Sequence, residues 1–256
     1  MKITGNTMLI TGGASGIGRG LAEKFHALGN QVIIAGRRKQ ALDETTKANP
    51  GIKSVTLNVE DRASIRAVVA QLAKECPELN VVINNAGIMR AENLLAQQDD
   101  LVDAEATVTT NLLGPIRLTA ALLPMLRKQP YSAIINVSSG LAFVPMAITP
   151  TYCATKAAIH SYTQSLRYQL KGSTTEVLEL IPPYVGTELM DGGARDPRAM
   201  PLDQFIAEVM EILKTRPLVT EICVENVKGL RLAAENGRYD TVFQGFNDAM
   251  ANLAHK

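Results

Sequence analysis

Tyr152 and Lys156 stand four residues apart in the run Tyr152-Cys153-Ala154-Thr155-Lys156. On a helix that spacing brings both side chains to one face, with Cβ atoms about 5–6 Å apart. A phenol with a free pKa of about 10 is a poor base at neutral pH, and an ammonium held beside it favours the phenolate. The pair is a candidate device for giving and taking a proton, with Lys156 expected to lower the Tyr152 pKa. Thr149-Pro150 supplies the helix start, Thr149 as N-cap and Pro150 at the first helical position. Upstream, Ser138-Ser139 closes the aliphatic run 133–137, and a hydroxyl there can donate to a carbonyl oxygen.

A second constellation is Thr11-Gly12-Gly13-Ala14-Ser15-Gly16-Ile17-Gly18, between the first predicted strand and the first predicted helix. Gly12, Gly16 and Gly18 permit a tight turn and close approach of the backbone to a phosphate. The N–H groups and dipole of a following helix favour that anion, so strand, glycine turn and helix together predict a dinucleotide site. The second strand ends in Ala35-Gly36-Arg37-Arg38, with no acid before Asp43. An acid there would repel a 2′-phosphate and a guanidinium binds it, which favours NADP over NAD. Ser15 adds a hydroxyl to the same phosphate. The plainer alternative is that Arg37 and Arg38 only cap a solvated helix start.

A third element is Thr110-Asn111-Leu112-Leu113-Gly114-Pro115, inside a predicted helix over 101–128. Pro115 has no N–H, so the Asn111 carbonyl loses its helical partner and is free to hold a water. An ordinary proline kink is the other reading.

These groups need a scaffold. Short apolar runs at 8–10, 32–35, 55–57, 81–83, 133–137 and 177–181 read as strands covered on both faces. Helical patterns fill 16–28, 39–48, 61–75, 101–128 and 150–170. The alternation predicts an α/β fold: one doubly wound parallel sheet, Rossmann-like, in three α/β/α layers and a single domain over 1–256. Beyond residue 181 a Gly- and Pro-containing stretch precedes an amphipathic helix at 202–214 and a short strand at 221–225. A substrate lid is expected at about 184–215, after the sixth strand, where such sheets present their binding crevice.

Bulk properties exclude several classes. The net charge of +1 gives no basic excess for nucleic acid or an anionic membrane surface. No apolar run reaches the length of a membrane span, and the N-terminus lacks the apolar stretch of a signal peptide. Cys76, Cys153 and Cys223 form no metal-ligand spacing, so no metal is expected, and an odd, sparse set suits a reducing, cytoplasmic setting. Cys153 reads as a small buried helix residue, with a reactive thiol as the alternative.

Thr11–Gly18, Asn84-Asn85-Ala86-Gly87, Asn111, Ser139 and Tyr152 with Lys156 together resemble the short-chain dehydrogenase/reductase family, in its shorter, non-extended subgroup. The likeness covers about residues 5–190. The stretch 135–145 is further similar to the group typified by the oxidoreductase of D-alanyl-lipoteichoic acid operons. The resemblance implies that Tyr152 transfers the proton and that Lys156 also holds the nicotinamide ribose. It further implies that Ser139 binds the substrate oxygen and that Asn111 fixes a water in a proton relay. It implies cofactor contacts from Gly12, Ser15, Gly16, Ile17, Gly18, Arg37, Arg38, Asn58, Val59, Asn85, Ala86, Gly87, Tyr152, Lys156, Pro182, Val185 and Thr187.

Three departures stand out. Asn58 replaces an Asp, Pro182-Pro183 replaces Pro-Gly, and the usual final strand ending in an Asp-Gly-Gly-like segment is missing. The last weakens the family's common tetramer, and a homodimer through the helices of 101–128 and 150–170 is expected instead.

The loop 140–146 with Ile88, Met89, Tyr184, Leu189 and Met190 is mostly apolar, which favours an uncharged small-molecule carbonyl or alcohol. Arg90 could recognise an anion, or be solvated. Two other classes stay open: a non-catalytic dinucleotide-binding regulator on the same fold, and a hydrolase using Ser139. The hydrolase lacks a GxSxG elbow, and no motif ties His26, His160 or His255 to that serine.

Overall fold

The computed structural model describes residues 1–96, 101–190 and 193–254. Each of the seven strands among them is parallel to its neighbours. They are β1 (Thr7–Thr11), β2 (Gln31–Gly36), β3 (Lys53–Thr56), β4 (Val81–Asn84), β5 (Ser132–Val137), β6 (Thr175–Ile181) and β7 (Glu221–Cys223). The helices are α1 (Gly16–Ala27), α2 (Lys39–Ala48), α3 (Arg62–Glu75), α4 (Val102–Val108), α5 (Gly114–Leu126), α6 (Pro150–Gln169), α7 (Leu202–Thr215), α8 (Lys228–Arg231) and α9 (Tyr239–Ala254).

The sheet order is β3-β2-β1-β4-β5-β6-β7. The chain reverses its direction of winding between β1 and β4, which opens a crevice at the carboxyl ends of these two strands. Strand periodicity divides the apolar runs between two cores. Met8, Ile10, Ile34, Ile83, Ile135 and Leu178 face one way with Phe25, Phe205 and Val209. Leu9, Ile33, Val82, Ile134 and Val177 face the other way with Leu72, Leu118 and Leu122. Burial on both faces explains why these strands read as continuous apolar runs rather than as alternation.

Two expectations are corrected by the backbone. The helical run of 101–128 is unbroken over 102–126 but is not α-helical throughout. Residues Thr109–Leu113 form a π-turn between α4 and α5, in which the Gly114 N–H donates to the Thr109 carbonyl. Pro115 cannot supply the N–H that an α-helix would draw from its position, and the wider turn accommodates that loss. Second, the later part of the expected lid stretch is a helix packed against the core. α7 buries Phe205, Ile206, Val209 and Leu213 and packs on α1. The loop before it closes on itself, with the Gly186 N–H donating to the Met200 carbonyl and the Met200 N–H to the Tyr184 carbonyl, both at 2.9 Å.

Candidate active site

The glycine turn is built so that no side chain fits. Gly12 and Gly16 take φ of +65° and +51°, in the left-handed region that disfavours a Cβ. A Cβ on Gly18 would lie 2.4 Å from the Gly12 carbonyl oxygen, and one on Gly12 would lie 2.9 Å from Asn85 Nδ2. Backbone therefore lines a cradle at the N-terminus of α1, whose first N–H groups lack helical partners. That is the chemistry a phosphate requires, so the residues present fit a dinucleotide. Ile17 opens α1 behind Gly16, and Thr187 comes close to Gly16 from the far side, 3.3 Å from where its Cβ would be.

The β4 end is fastened to this turn. The Asn85 and Ala86 N–H groups both donate to Thr11 Oγ1 at 3.0 Å, and Asn85 Nδ2 donates to the Thr11 carbonyl at 2.9 Å. Gly87 lies next to the Asn111 side chain, whose Oδ1 accepts from the Ile88 N–H at 2.9 Å while Nδ2 donates to the Ile88 carbonyl at 2.8 Å. Asn111 is thus held rigidly against the β4 loop at the π-turn.

Arg37 and Arg38 have different partners. Arg38 Nη2 donates to Ser15 Oγ at 3.3 Å, which brings two of the expected phosphate ligands together. Arg37 forms an ion pair with Glu60 at 2.7 Å, and Glu60 also accepts from Thr110 Oγ1. Asn58 Oδ1 accepts from the Glu60 N–H, and Val59 is buried against Gly114. Val185 is buried beside Met200, and the Pro182 carbonyl accepts from the Gly140 N–H.

Tyr152 and Lys156 lie on α6 and are both buried, at 5% and 6% exposure. Lys156 Nζ stands 5.5 Å from the Tyr152 ring centroid and donates to the Val137 carbonyl at 2.8 Å. The expected depression of the phenol is not found. Burial pushes the Tyr152 phenol above its ordinary value, and the group acting against that rise is the Ser139 hydroxyl. Burial likewise lowers the Lys156 ammonium to about 8. Desolvation disfavours the charged form of each group, and the ammonium is spent on a carbonyl rather than on the phenol.

Thr149 occupies the N-cap position of α6 without capping it; its hydroxyl turns to the Met146 carbonyl and Cys153 Sγ. The cap comes from Glu92, which accepts from the Thr151 N–H at 3.0 Å and from Thr151 Oγ1 at 2.7 Å. The Cys153 thiol is buried and its pKa raised, which argues against a reactive thiolate. Arg90 pairs with Asp103 at 3.6 Å.

Tyr152 is surrounded by Met89, Met146 and Cys153, with Leu141, Met190, Phe246 and Met250 packed around them. The last two come from α9. Asn247 fixes that helix over the site, accepting from the Ala147 N–H at 2.7 Å and donating to the Pro145 carbonyl at 3.1 Å. Met190, from the expected lid, joins this cluster, whereas Tyr184 and Leu189 are exposed. Asp191, Gly192 and His255 lie outside the described residues. Sequence reasoning missed that α9 covers the site, and it missed Glu60, Glu92 and a buried acid, Glu179. The only sequence signal for Glu179 was a charged residue inside the apolar run 177–181.

Residues 6–197 match the model of the short chain dehydrogenase family. The chain belongs to the short-chain dehydrogenase family. It is 40% identical over 252 residues to the uncharacterized oxidoreductase DltE of Bacillus subtilis, covering 96% of this chain and 98% of that one. Among solved structures it resembles a short-chain dehydrogenase from Sphingobium yanoikuyae in complex with NADPH. The TM-score is 0.77, with 26% identity over 93% of this chain and 95% of the other. A short-chain dehydrogenase/reductase from Burkholderia phymatum in complex with NAD shares the fold, with a TM-score of 0.78 and 21% identity over 92% and 95% of the two chains. The strand order and the glycine cradle are features of the family fold, and the narrower likeness read from residues 135–145 agrees with the DltE match.

Proposed function

We propose that this chain reduces a carbonyl, or oxidises the corresponding secondary alcohol, with a nicotinamide cofactor, NADPH being preferred. The observation that carries the reading is the meeting of three groups. A buried phenol, Tyr152, lies with the Ser139 hydroxyl acting on it and inside an apolar cluster, beside a backbone cradle shaped for a dinucleotide. The cofactor, when bound, supplies the hydride exchanged with the substrate carbon.

The cradle would be formed by Gly12, Gly16, Ile17 and Gly18 at the phosphates. Ser15 and Arg38 would take the 2′-phosphate, with Arg37 behind them. Asn58, Val59, Asn85, Ala86 and Gly87 would flank the adenosine half. Lys156, Pro182, Val185 and Thr187 would flank the nicotinamide half. The preference for NADPH rests on the Arg38–Ser15 contact and on the relative solved with NADPH.

In reduction, the Tyr152 hydroxyl donates its proton to the carbonyl oxygen. Its raised pKa keeps it protonated at neutral pH, as an acid must be. The Ser139 hydroxyl donates a second hydrogen bond to the same oxygen and stabilises the charge that develops there. Lys156 stabilises the tyrosinate left behind, and the Asn111 carbonyl at the π-turn orients a water that reconnects Lys156 to solvent. In oxidation the same groups run in reverse.

The walls supplied by Met89, Met146, Leu141, Phe246 and Met250 favour an uncharged, apolar substrate, and methionine adapts its shape to what enters. The dimer we read would use the half-buried apolar side chains of α5 and the π-turn, such as Leu112, Leu113 and Ile116, with α6.

A panel of ketones, aldehydes and secondary alcohols, followed by NADPH and NADH absorbance, tests the reading. Turnover of an apolar carbonyl with a clear NADPH preference is expected. No oxidation of either cofactor across the panel would instead favour the non-catalytic dinucleotide-binding alternative.

A further inference from the structure

In β6 every residue from Val177 to Ile181 is apolar except Glu179, which is fully buried. It is the only buried carboxylate among the described residues. Strand alternation puts it on the face of Val177, the side covered by α5 and α6. The sheet register pairs Asn84 with Asn136 and Asn136 with Glu179. Three adjacent strands thus end in buried polar side chains beneath the helix that carries Tyr152 and Lys156.

A buried carboxylate is tolerated only with donors and charge around it. Glu179 Oε1 accepts from Ser138 Oγ at 2.5 Å, and Oε2 accepts from His160 Nδ1 at 2.8 Å. The second ring nitrogen of His160 faces Gln164 Nε2 at 3.1 Å. Ser138 and His160 are the direct partners of Glu179.

The remaining charged and titratable groups around it are Lys156 on α6, Glu221 and Cys223 on β7, and Arg231 on α8. Glu221 is the register partner of Glu179, and donor atoms of His160, Glu179 and Glu221 lie within 4.8 Å of one another. Arg231 is already committed to Glu221, at 2.8 Å, and to Glu235. Cys223 carries no charge at neutral pH, since burial pushes its thiol up to about 11. Lys156 stands one helical turn before His160 on α6, and its Nζ is fixed on the carbonyl of Val137, the neighbour of Ser138.

We propose that Glu179 is a positioning residue of the active site: a buried counter-charge, held as a carboxylate by Ser138 and His160, that keeps Lys156 a cation. Burial pushes the lysine towards its neutral form, and Glu179 is the group that acts the other way. The same Ser138 bond anchors the backbone one residue before Ser139, so one carboxylate serves both the proton store and the substrate-polarising hydroxyl. The bearing on turnover rests on the catalytic reading of Lys156 above; the charge relation itself does not.

The test is an NMR pH titration of the full chain labelled with 13Cε-lysine, with Lys156→Met identifying the Lys156 resonance. In Glu179→Gln, which keeps shape and loses charge, the Lys156 midpoint is expected to fall by at least about half a pH unit, a threefold change in proton affinity. In Glu179→Asp it is expected to stay closer to the parent value. An unmoved midpoint in Glu179→Gln overturns the proposal. Where turnover is measurable, the alkaline limb of its pH profile moves down in the same variant, whereas a purely structural role would lower activity equally at every pH. A midpoint that falls in a protein turning over no carbonyl would sink the reductase reading and leave the counter-charge standing. If Glu179→Gln is recovered only as insoluble protein, the double variant with Lys156→Met decides. Restored soluble, cooperative folding supports a stranded ammonium as the cause, and a double variant as impaired as the single overturns it.

Discussion

Around β1–β3 the site is made of backbone, whereas around β4–β6 it is made of side chains. The glycine turn offers N–H groups and empty space, and its specificity lies in which Cβ atoms are missing. The opposite half offers Ser139, Tyr152, Lys156 and Asn111. It supports them on a buried polar layer in which Asn84 Nδ2 donates to Asn136 at 2.8 Å, Asn136 Nδ2 donates to Thr163 at 2.9 Å, and Glu179 joins Ser138 to His160. A backbone cradle binds any ligand with the right anion. A side-chain device fixes where one proton goes, and it does so by burying polar groups that an apolar core would exclude.

The sharpest way to break this contrast is Tyr152→Phe. Turnover should fall by about 10²–10⁴-fold, the scale of a lost general acid. NADPH binding, followed by fluorescence, should stay within about twofold, since the cradle is built elsewhere. Residual activity above a few per cent would refute the assignment. Gly18→Ala attacks the other half. Its methyl would meet the Gly12 carbonyl oxygen at 2.4 Å, with only backbone to yield. We expect at least tenfold weaker NADPH binding and a loss of stability of about 2 kcal/mol in urea unfolding. An unchanged affinity would show that the cradle does not hold the phosphates.

The two arginines sharpen the picture within the cradle. Arg38→Ala should raise KM for NADPH by about tenfold and leave KM for NADH alone, because it stands with Ser15 at the expected phosphate. Arg37→Ala should change it by only about twofold, since Glu60 already holds that guanidinium. Equal effects would remove the distinction.

A further expected effect is a pH slope. The folded Lys156 pKa lies near about 8, below the ordinary lysine value, so the unfolded chain binds more protons through the mildly alkaline range. That group therefore penalises folding below about pH 8, and the penalty fades as pH rises. The stability of the parent chain relative to Lys156→Met should increase between about pH 8 and 10, by on the order of 1 kcal/mol. A difference that falls or stays flat with pH would contradict the burial of the ammonium.

Much of this was legible in the residues. Doubly covered strands such as 8–10 and 133–137 announce themselves because both faces must be apolar, and the glycine turn because only glycine tolerates its dihedrals and contacts. What escaped was whatever depended on distant pairing. The sequence offers Thr149 next door as the α6 cap, but Glu92 supplies it from the segment after β4. Nothing local in residues 239–254 says that Phe246 and Met250 cover Tyr152, because the contacts fixing that helix span about one hundred residues. Residue spacing relates the Tyr152 pKa to Lys156 alone, whereas the desolvation that dominates it is a property of the packed core.

The π-turn at Thr109–Leu113 carries one residue more than an α-helical turn would. Each residue of an α-helix advances the azimuth by about 100°. The wider turn absorbs its extra residue with little change in the azimuth of the flanking helices, so removing one residue of this segment would restore a smooth helix and re-aim the segment's own side chains against α4 and α5. Thr110, which holds Glu60, and Asn111, which locks the β4 loop, could not then both keep their partners. The segment is therefore fixed in length as strictly as Tyr152 is fixed in type. Single-residue deletions should be tolerated far less between 109 and 113 than in exposed loops of the same chain.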